Sequence, residues 1–251
     1  MQLGTITDLL IIALPLLVLF GVFWYGAGAL ALRQSVKVNY TRKVIHFSIF
    51  FYPFVVNALS DHDGALQVAQ AITLVAFVAV MNPISIARNS VARTMFAASD
   101  RPEDRPNTLR WFWIQVVTGQ VAASIGASLL LGFGYDDVIL LIAPLAFFGD
   151  GLAEPVGVRF GTHRYRTYAV FAKGPTNNYW RTIEGSATVF VVTVIVVLVG
   201  HSYFTTSELI AALVVLPVAV TVAEAIAPHT MDTPFLMLAS SIGLFVAKHF
   251  F

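Results

Sequence analysis

The sequence predicts an all-α, polytopic integral membrane protein, and three observations lead there. Of its 251 residues, 57% are apolar and only 12% are charged, about half the charge of a soluble domain. The apolar residues form long continuous runs rather than alternating ones, which excludes a transmembrane β-barrel. Nearly all the basic residues fall in three of the loops between those runs.

The runs lie at about 9–32, 44–60, 65–83, 111–131, 137–149, 186–200, 208–227 and 234–250. This gives about eight spans in a single transmembrane domain, 1–251, each read against a hydrocarbon layer of about 30 Å. The first is expected to be retained as a helix, because no basic n-region precedes it and Asp8 is acidic. Loop 33–43 carries Arg33, Lys37, Arg42 and Lys43. Loop 84–110 carries Arg88, Arg93, Arg101, Arg105 and Arg110, and its two prolines and mixed charges read as a solvated connection. Loop 150–185 carries Arg159, Arg164, Arg166, Lys173 and Arg181. The alternate connections hold Asp61, His62 and Asp63, then Asp136 and Asp137, then His201 and Glu208. Of the fifteen Lys and Arg only Lys248 lies elsewhere. Positive charge stays inside, so the three basic loops are cytoplasmic and both termini face the other side.

A net charge of +1 gives no footprint for nucleic acid, and the lack of cysteine excludes disulfides, thiolate metal sites and cysteine nucleophiles. There is no phosphate-binding P-loop, no dinucleotide fingerprint, no H-E-x-x-H and no G-x-S-x-G.

Chemistry concentrates at Gly149-Asp150-Gly151 and runs through Glu154, Gly157 and Gly161. From Val138 to Gly149 is about 18 Å of helix, which would leave Asp150 below the membrane surface at the start of a cytoplasmic active-site loop, about 150–185. Pro144 is expected to kink or interrupt that segment. A carboxylate at that depth marks a functional site unless it is paired. Mg²⁺ suits it, since that ion takes one or two carboxylates beside substrate phosphates. Repeated glycines allow close backbone approach to a ligand; Gly157-x-x-x-Gly161 is equally a helix-packing pattern. Arg181, Thr182, Glu184, Gly185 and Ser186 then open the next span, where a helix N-terminus caps itself or receives an anion. Lys43, beside Arg42, and His46 suggest a phosphate clamp and an orienter or general base. Glu224, late in an apolar run, and Asp232 in the following turn are further candidates for the metal.

Asp150-x-x-Ala153-x-x-x-Gly157-x-x-x-Gly161, then a basic loop and Thr182-x-Glu184-Gly185-Ser186, resembles the CTP-binding signature of the dolichol kinase and phytol kinase (polyprenol kinase) family. It is more distantly similar to the phosphatidate cytidylyltransferases. Arg42-Lys43-x-x-His46 and Glu224…Asp232 resemble that kinase family in the same order, with Arg164 and Arg181 where lysines are usual. The resemblance covers about residues 40–240. It implies a CTP-dependent transfer of phosphate to a long-chain isoprenoid alcohol, with Mg²⁺, membrane lipid around the site and no nucleic acid. In that reading Asp150, with Glu184, Glu224 or Asp232, holds the metal. Gly149, Gly151, Gly157, Gly161, Thr182, Gly185 and Ser186 line the nucleotide, and Arg164, Arg181 and Lys43 offset its charge. A carboxylate or His46 takes the hydroxyl proton. Two alternatives stand beside it: a phosphatidate cytidylyltransferase making a CDP-lipid, and a transporter without chemistry.

Overall fold

The computed structural model describes residues 3–60, 64–169 and 179–251, which form ten α-helices and one two-stranded ribbon. Asp61, His62, Asp63 and Lys173 lie outside the described residues. Where the sequence shows no internal boundary, the fold divides into two compact units, Met1–Leu109 and Arg110–Phe251.

The first unit contains α1 (Leu3–Leu32), α2 (Val38–Leu59), α3 (Ala65–Val80), α4 (Pro83–Arg88) and α5 (Ser90–Ala97). Leu9 and Ala13 of α1 pack on Tyr52 and Val56 of α2 and on Ala65 and Ala69 of α3. Two buried polar contacts fix the register. The Tyr52 hydroxyl donates to the Ala13 carbonyl at 3.1 Å, and the Trp24 indole donates to the Met95 carbonyl at 2.9 Å. Helix α1 meets α5 through Gly28, where an added Cβ would lie 1.8 Å from the Thr94 carbonyl oxygen. That neighbour is backbone and cannot rotate away. Gly28→Ala is therefore expected to cost at least about 1–3 kcal/mol, read as a lower thermal midpoint in detergent.

Segment 84–110 is folded into the short helices α4 and α5, and most of its charges, Arg88, Arg93, Glu103, Arg105 and Arg110 among them, stay exposed as its composition suggests. Asn82 caps α4, its side chain accepting from the Ser85 amide at 2.8 Å, and Pro83 occupies the first helical position. Asn89 caps α5 in the same way. Arg101 and Asp104 are both buried, 5% and 4% exposed, in an ion pair of 2.7 Å. That one pair is turned inside the unit.

The second unit holds α6 (Thr108–Gly132, its first two residues belonging to the first unit), α7 (Ile142–Phe160), β1 (Arg164–Arg166), β2 (Trp180–Thr182), α8 (Ile183–Val199), α9 (Thr206–Ile226) and α10 (Asp232–Phe250). Its core gathers Leu145, Val189, Val197, Leu216, Val220, Leu236 and Leu244. Gly126 of α6 admits Ser241 of α10, which stands 1.9 Å from where its Cβ would be. Lys248, the one basic residue outside the three basic loops, is held by Asp137 at 3.1 Å and Glu208 at 3.3 Å. Glu208 also closes a capping box with Thr205 at the start of α9.

The largest departure from expectation is at α7. A 3₁₀ turn over Asp136–Leu141 runs into a helix that continues to Phe160, eleven residues beyond the expected end at Gly149. Pro144 does not break it, because a proline in the first turn forfeits no helical hydrogen bond. Pro155 does sit inside the helix and removes the donor for the Gly151 carbonyl. The connection thus begins at Gly161, not at residue 150.

Among the described residues five helices are long and apolar enough to cross a membrane: Leu9–Leu32, Thr108–Gly132, Asp136–Phe160, Thr206–Ile226 and Asp232–Phe250. Helices α3 and α8 are shorter and also apolar. The outward faces carry large hydrophobic side chains, among them Val18, Val22, Val199, Val214 and Ile226. Such surface suits lipid and would be an aggregation liability in water.

Candidate functional site

The ribbon between α7 and α8 decides which polar side chains turn inward. Arg164 pairs with Thr182, Tyr165 with Arg181 and Arg166 with Trp180 in antiparallel register. Side chains alternate along a strand and cross-strand partners share a face. Tyr165 and Arg181 therefore point one way, while Arg166 and Trp180 point the other, the Arg166 guanidinium lying 5.3 Å from the Trp180 ring centroid. Arg164 is exposed as well.

On the inner face Arg181 bridges Glu224 of α9 and Asp232 of α10, with one terminal nitrogen to each. One of those nitrogens also donates to the Ala227 carbonyl at 3.1 Å. The Ser186 hydroxyl, in the first turn of α8, lies 2.8 Å from the other Glu224 oxygen and 2.7 Å from the Tyr165 hydroxyl. The Thr167 hydroxyl also donates to the Ala227 carbonyl, and the His229 amide donates to the Tyr168 carbonyl at 2.7 Å. A single largely shielded guanidinium thus ties together β2, α9, the α9–α10 turn and α10. Burial works against its charge, but Asp232 and Glu224 outweigh that and hold Arg181 protonated more firmly than usual. Burial, reinforced by the Glu224 charge, pushes the Tyr165 hydroxyl up, so it stays neutral and able to donate.

A second polar locus surrounds Glu184. Its carboxylate accepts from the Thr162 hydroxyl at 2.6 Å and amide at 3.1 Å, and from the His163 ring at 2.8 Å. Thr182 caps α8, its side chain accepting from the Gly185 amide at 3.1 Å. This end of the ribbon is solvent-facing, whereas the Arg181 cluster is buried.

The glycines have a different task from the one expected. Helix α7 is continuous, so the amides of Gly149, Gly151 and Gly157 lie within its hydrogen-bonding ladder, and the Gly161 amide donates to the Gly157 carbonyl at 3.0 Å. They are not presented to a phosphate. What the missing side chains permit is close approach of α8. A Cβ on Gly157 would stand 2.6 Å from the Thr182 hydroxyl oxygen, one on Gly161 2.4 Å from the Thr182 methyl, and one on Gly149 3.2 Å from Val189. One on Gly185 would stand 3.0 Å from the Ala153 carbonyl oxygen. Gly157→Ala is expected to cost about 1–3 kcal/mol through overpacking. Adding Thr182→Ala should recover part of that, less about 1 kcal/mol for the lost cap. Thermal midpoints of the single and double variants measure the coupling.

Asp150 lies in the middle of α7 and is only 7% exposed. Among the four carboxylates expected to share a metal, Glu224 and Asp232 meet at Arg181, and Glu184 is engaged by Thr162 and His163. Among the described residues no three His, Asp or Glu side chains converge as a metal centre. Arg181, Ser186, Glu224 and Asp232 are the expected residues that the fold unites. Lys43 and His46 belong to α2 in the first unit. Lys43 is buried, and His46 is half-buried with its ring edge-on to Phe47 at 5.4 Å. The sequence reading missed Tyr165, Thr162 and His163; the Arg-Tyr-Arg alternation of β1 is the only signal that marks Tyr165 as inward-facing. It missed too the packing of Tyr179 on His229, ring centroids 4.1 Å apart, with Trp111 at 5.7 Å from His229. No family model matches the chain, and neither a curated protein nor a solved structure matches it.

Proposed function

We propose that the chain is a CTP-dependent lipid-alcohol kinase, moving the γ-phosphate of CTP to the hydroxyl of a long-chain isoprenoid alcohol at the cytoplasmic membrane face. The observation that carries this reading is the close packing of α7 on α8. Gly157, Gly161 and Gly185 close around Thr182, so the two halves of the motif, 150–161 and 182–186, form one structural unit. Arg181 then joins that unit to the late Glu224 and Asp232. A motif dispersed over more than 80 residues is thereby one contiguous assembly.

The same reading takes the molecule as a protein of about eight spans, counting α2, α3 and α8 with the five long helices, with both termini on the non-cytoplasmic side. The three basic loops support that orientation, and the exception, Lys248, has its charge matched by Asp137 and Glu208.

Phosphoryl transfer asks mainly for positioning and charge neutralisation. The pairing of Arg181 with two carboxylates makes it a positioning residue rather than a free clamp for phosphate. Arg164 and Arg166, on the outer face of the ribbon, are exposed basic groups that would meet a triphosphate. Asp150 supplies a hard oxygen donor suited to Mg²⁺, which takes one or two carboxylates and completes its shell with water and phosphate oxygens. When bound, that ion neutralises charge on the triphosphate. A carboxylate accepts the proton of the attacking hydroxyl.

The test uses purified protein, Mg²⁺, isoprenoid alcohols and phosphatidic acid, with CTP labelled at the α- or the γ-phosphate. Label reaching lipid only from the γ position is expected. Label from the α position would make the chain a cytidylyltransferase, and transfer from neither CTP nor ATP would overturn the enzymatic reading.

A further inference from the structure

Helices α1 and α2 return on each other through the short turn 33–37 and leave a groove of about 470 Å³ on their exposed side. Val22, Gly26 and Leu30 of α1 line it, with Tyr40 and Val44 of α2 and Val36 of the turn itself. From Val22 to Leu30 the helix rises about 12 Å. The wall is almost wholly apolar. Its one hydroxyl besides Tyr40, that of Thr41, is spent on the Val38 and Ala98 carbonyls at 3.2 and 2.9 Å. A Cβ placed on Gly26 meets no atom within 4 Å, so nothing from the protein crowds the floor of the groove.

The turn closes one end of this groove, since Val36 forms part of the lining. Its shape is fixed by the backbone. Gln34 takes a φ of 54°, and the Ser35 amide and hydroxyl both donate to the Leu30 carbonyl, at 3.2 and 3.0 Å. Arg33 and Lys37 stand exposed in that turn, and among the described residues neither has a side-chain partner. The Tyr40 hydroxyl, on the groove wall, has none among them either. Other cations of the unit are spent: Arg101 on Asp104 at 2.7 Å and Arg105 on Asp100 at 2.8 Å. Lys37 is also the N-cap of α2, where the positive end of the helix dipole adds to its charge.

We propose that the α1–α2 groove seats an acyl chain of an anionic phospholipid, with its phosphate against Arg33 and Lys37 and the Tyr40 hydroxyl donating to it. The two cations lie past the groove rather than on its wall, which is where a headgroup and not a chain belongs. Charge complementarity selects this guest. A neutral lipid alcohol brings nothing to two unpaired cations, and a soluble phosphate makes no use of an apolar wall. Basic groups between helices on the cytoplasmic side recur as seats for anionic headgroups. The site needs only the first unit and stands whether or not the chain is a kinase.

Native mass spectrometry from a neutral detergent counts the retained lipid. Phosphatidylglycerol is expected to bind saturably and about 30-fold more tightly than phosphatidylcholine of the same chains, the preference that two cations near a membrane surface supply. Arg33→Gln with Lys37→Gln should bring it down to the phosphatidylcholine level with an unchanged thermal midpoint. Gly26→Leu fills the floor and should lose the saturable binding. Arg88→Gln with Arg159→Gln removes the same charge from exposed positions in the other two basic loops and should keep it. Equal affinity for the two lipids would overturn the proposal. So would full binding by the Arg33 and Lys37 double variant or by a folded Gly26→Leu protein, or an equal loss in the Arg88 and Arg159 control. Should Gly26→Leu fail to fold, the Arg33 and Lys37 pair decides alone. Competition by glycerol 3-phosphate at the same concentration would make the turn a site for a soluble anion and overturn the lipid.

Discussion

Arg181→Ala is expected to destabilise the second unit by about 3–5 kcal/mol, the usual result of removing one partner from a buried ionic cluster. The mechanism is specific. Without the guanidinium, Glu224 and Asp232 face each other as two buried carboxylates, and the Ala227 carbonyl loses a donor. Arg181→Lys should recover little, because a single ammonium cannot reproduce a fork that reaches two acids and a carbonyl at once. The informative control is Arg181→Met combined with Glu224→Gln and Asp232→Asn. It removes the charges together and should restore most of the midpoint, since uncharged replacement of a whole buried cluster is often neutral or better. Thermal unfolding in detergent, followed by loss of monodisperse protein, measures all three. An Arg181→Ala protein with an unchanged midpoint would show that the cluster contributes nothing to the fold, and Arg181 would revert to a candidate for direct phosphate contact.

This prediction differs from what the sequence suggests about the same residue, and the reason is physical. An arginine beside a capping threonine reads as an interfacial cation open to an anion. Its real partners, Glu224 and Asp232, lie 43 and 51 residues further on, and no local pattern encodes that separation. The helical class was legible because hydropathy acts over whole segments: the long apolar runs became α6, α9 and α10 within three residues of their expected limits, and α1, which begins six residues earlier than expected. What misled was the reading of polar and glycine residues as loop signals. Gly149-Asp150-Gly151 looks like the end of a span, yet helix propensity is a weak preference and packing against α8 overrides it. The glycine spacing carried both readings at once. Only the position of Thr182, 2.6 Å from a Cβ on Gly157, decides between them in favour of helix packing. In segment 84–110 the two buried charges were missed for a related reason: Arg101 and Asp104 look solvated in sequence because their mutual pairing is invisible there.

On the proposed kinase reading, Asp150→Asn is expected to lower phosphate transfer about 10²–10³-fold, the usual range for losing one group that stabilises developing charge, while leaving the thermal midpoint within a few degrees. Asparagine keeps the shape of the side chain and fills the same place in α7, so packing of the helix is untouched. The change removes the negative charge and turns one acceptor oxygen into a donor. A buried carboxylate in a membrane-spanning helix costs about 2.5–3.5 kcal/mol at mid-helix, so discarding that charge should not weaken the fold unless the charge is itself a structural partner. The two readouts therefore separate the two roles. Activity lost with the midpoint kept assigns Asp150 to the reaction. Activity and midpoint lost together would make it a structural acid like Asp232. Normal transfer would remove it from the site, and the ion would then have to be held by Glu184, whose carboxylate already accepts from Thr162 and His163. Asp150→Ala should match the asparagine variant in activity and fall below it in stability by about 1 kcal/mol or more, because it also opens a void in a close-packed interface.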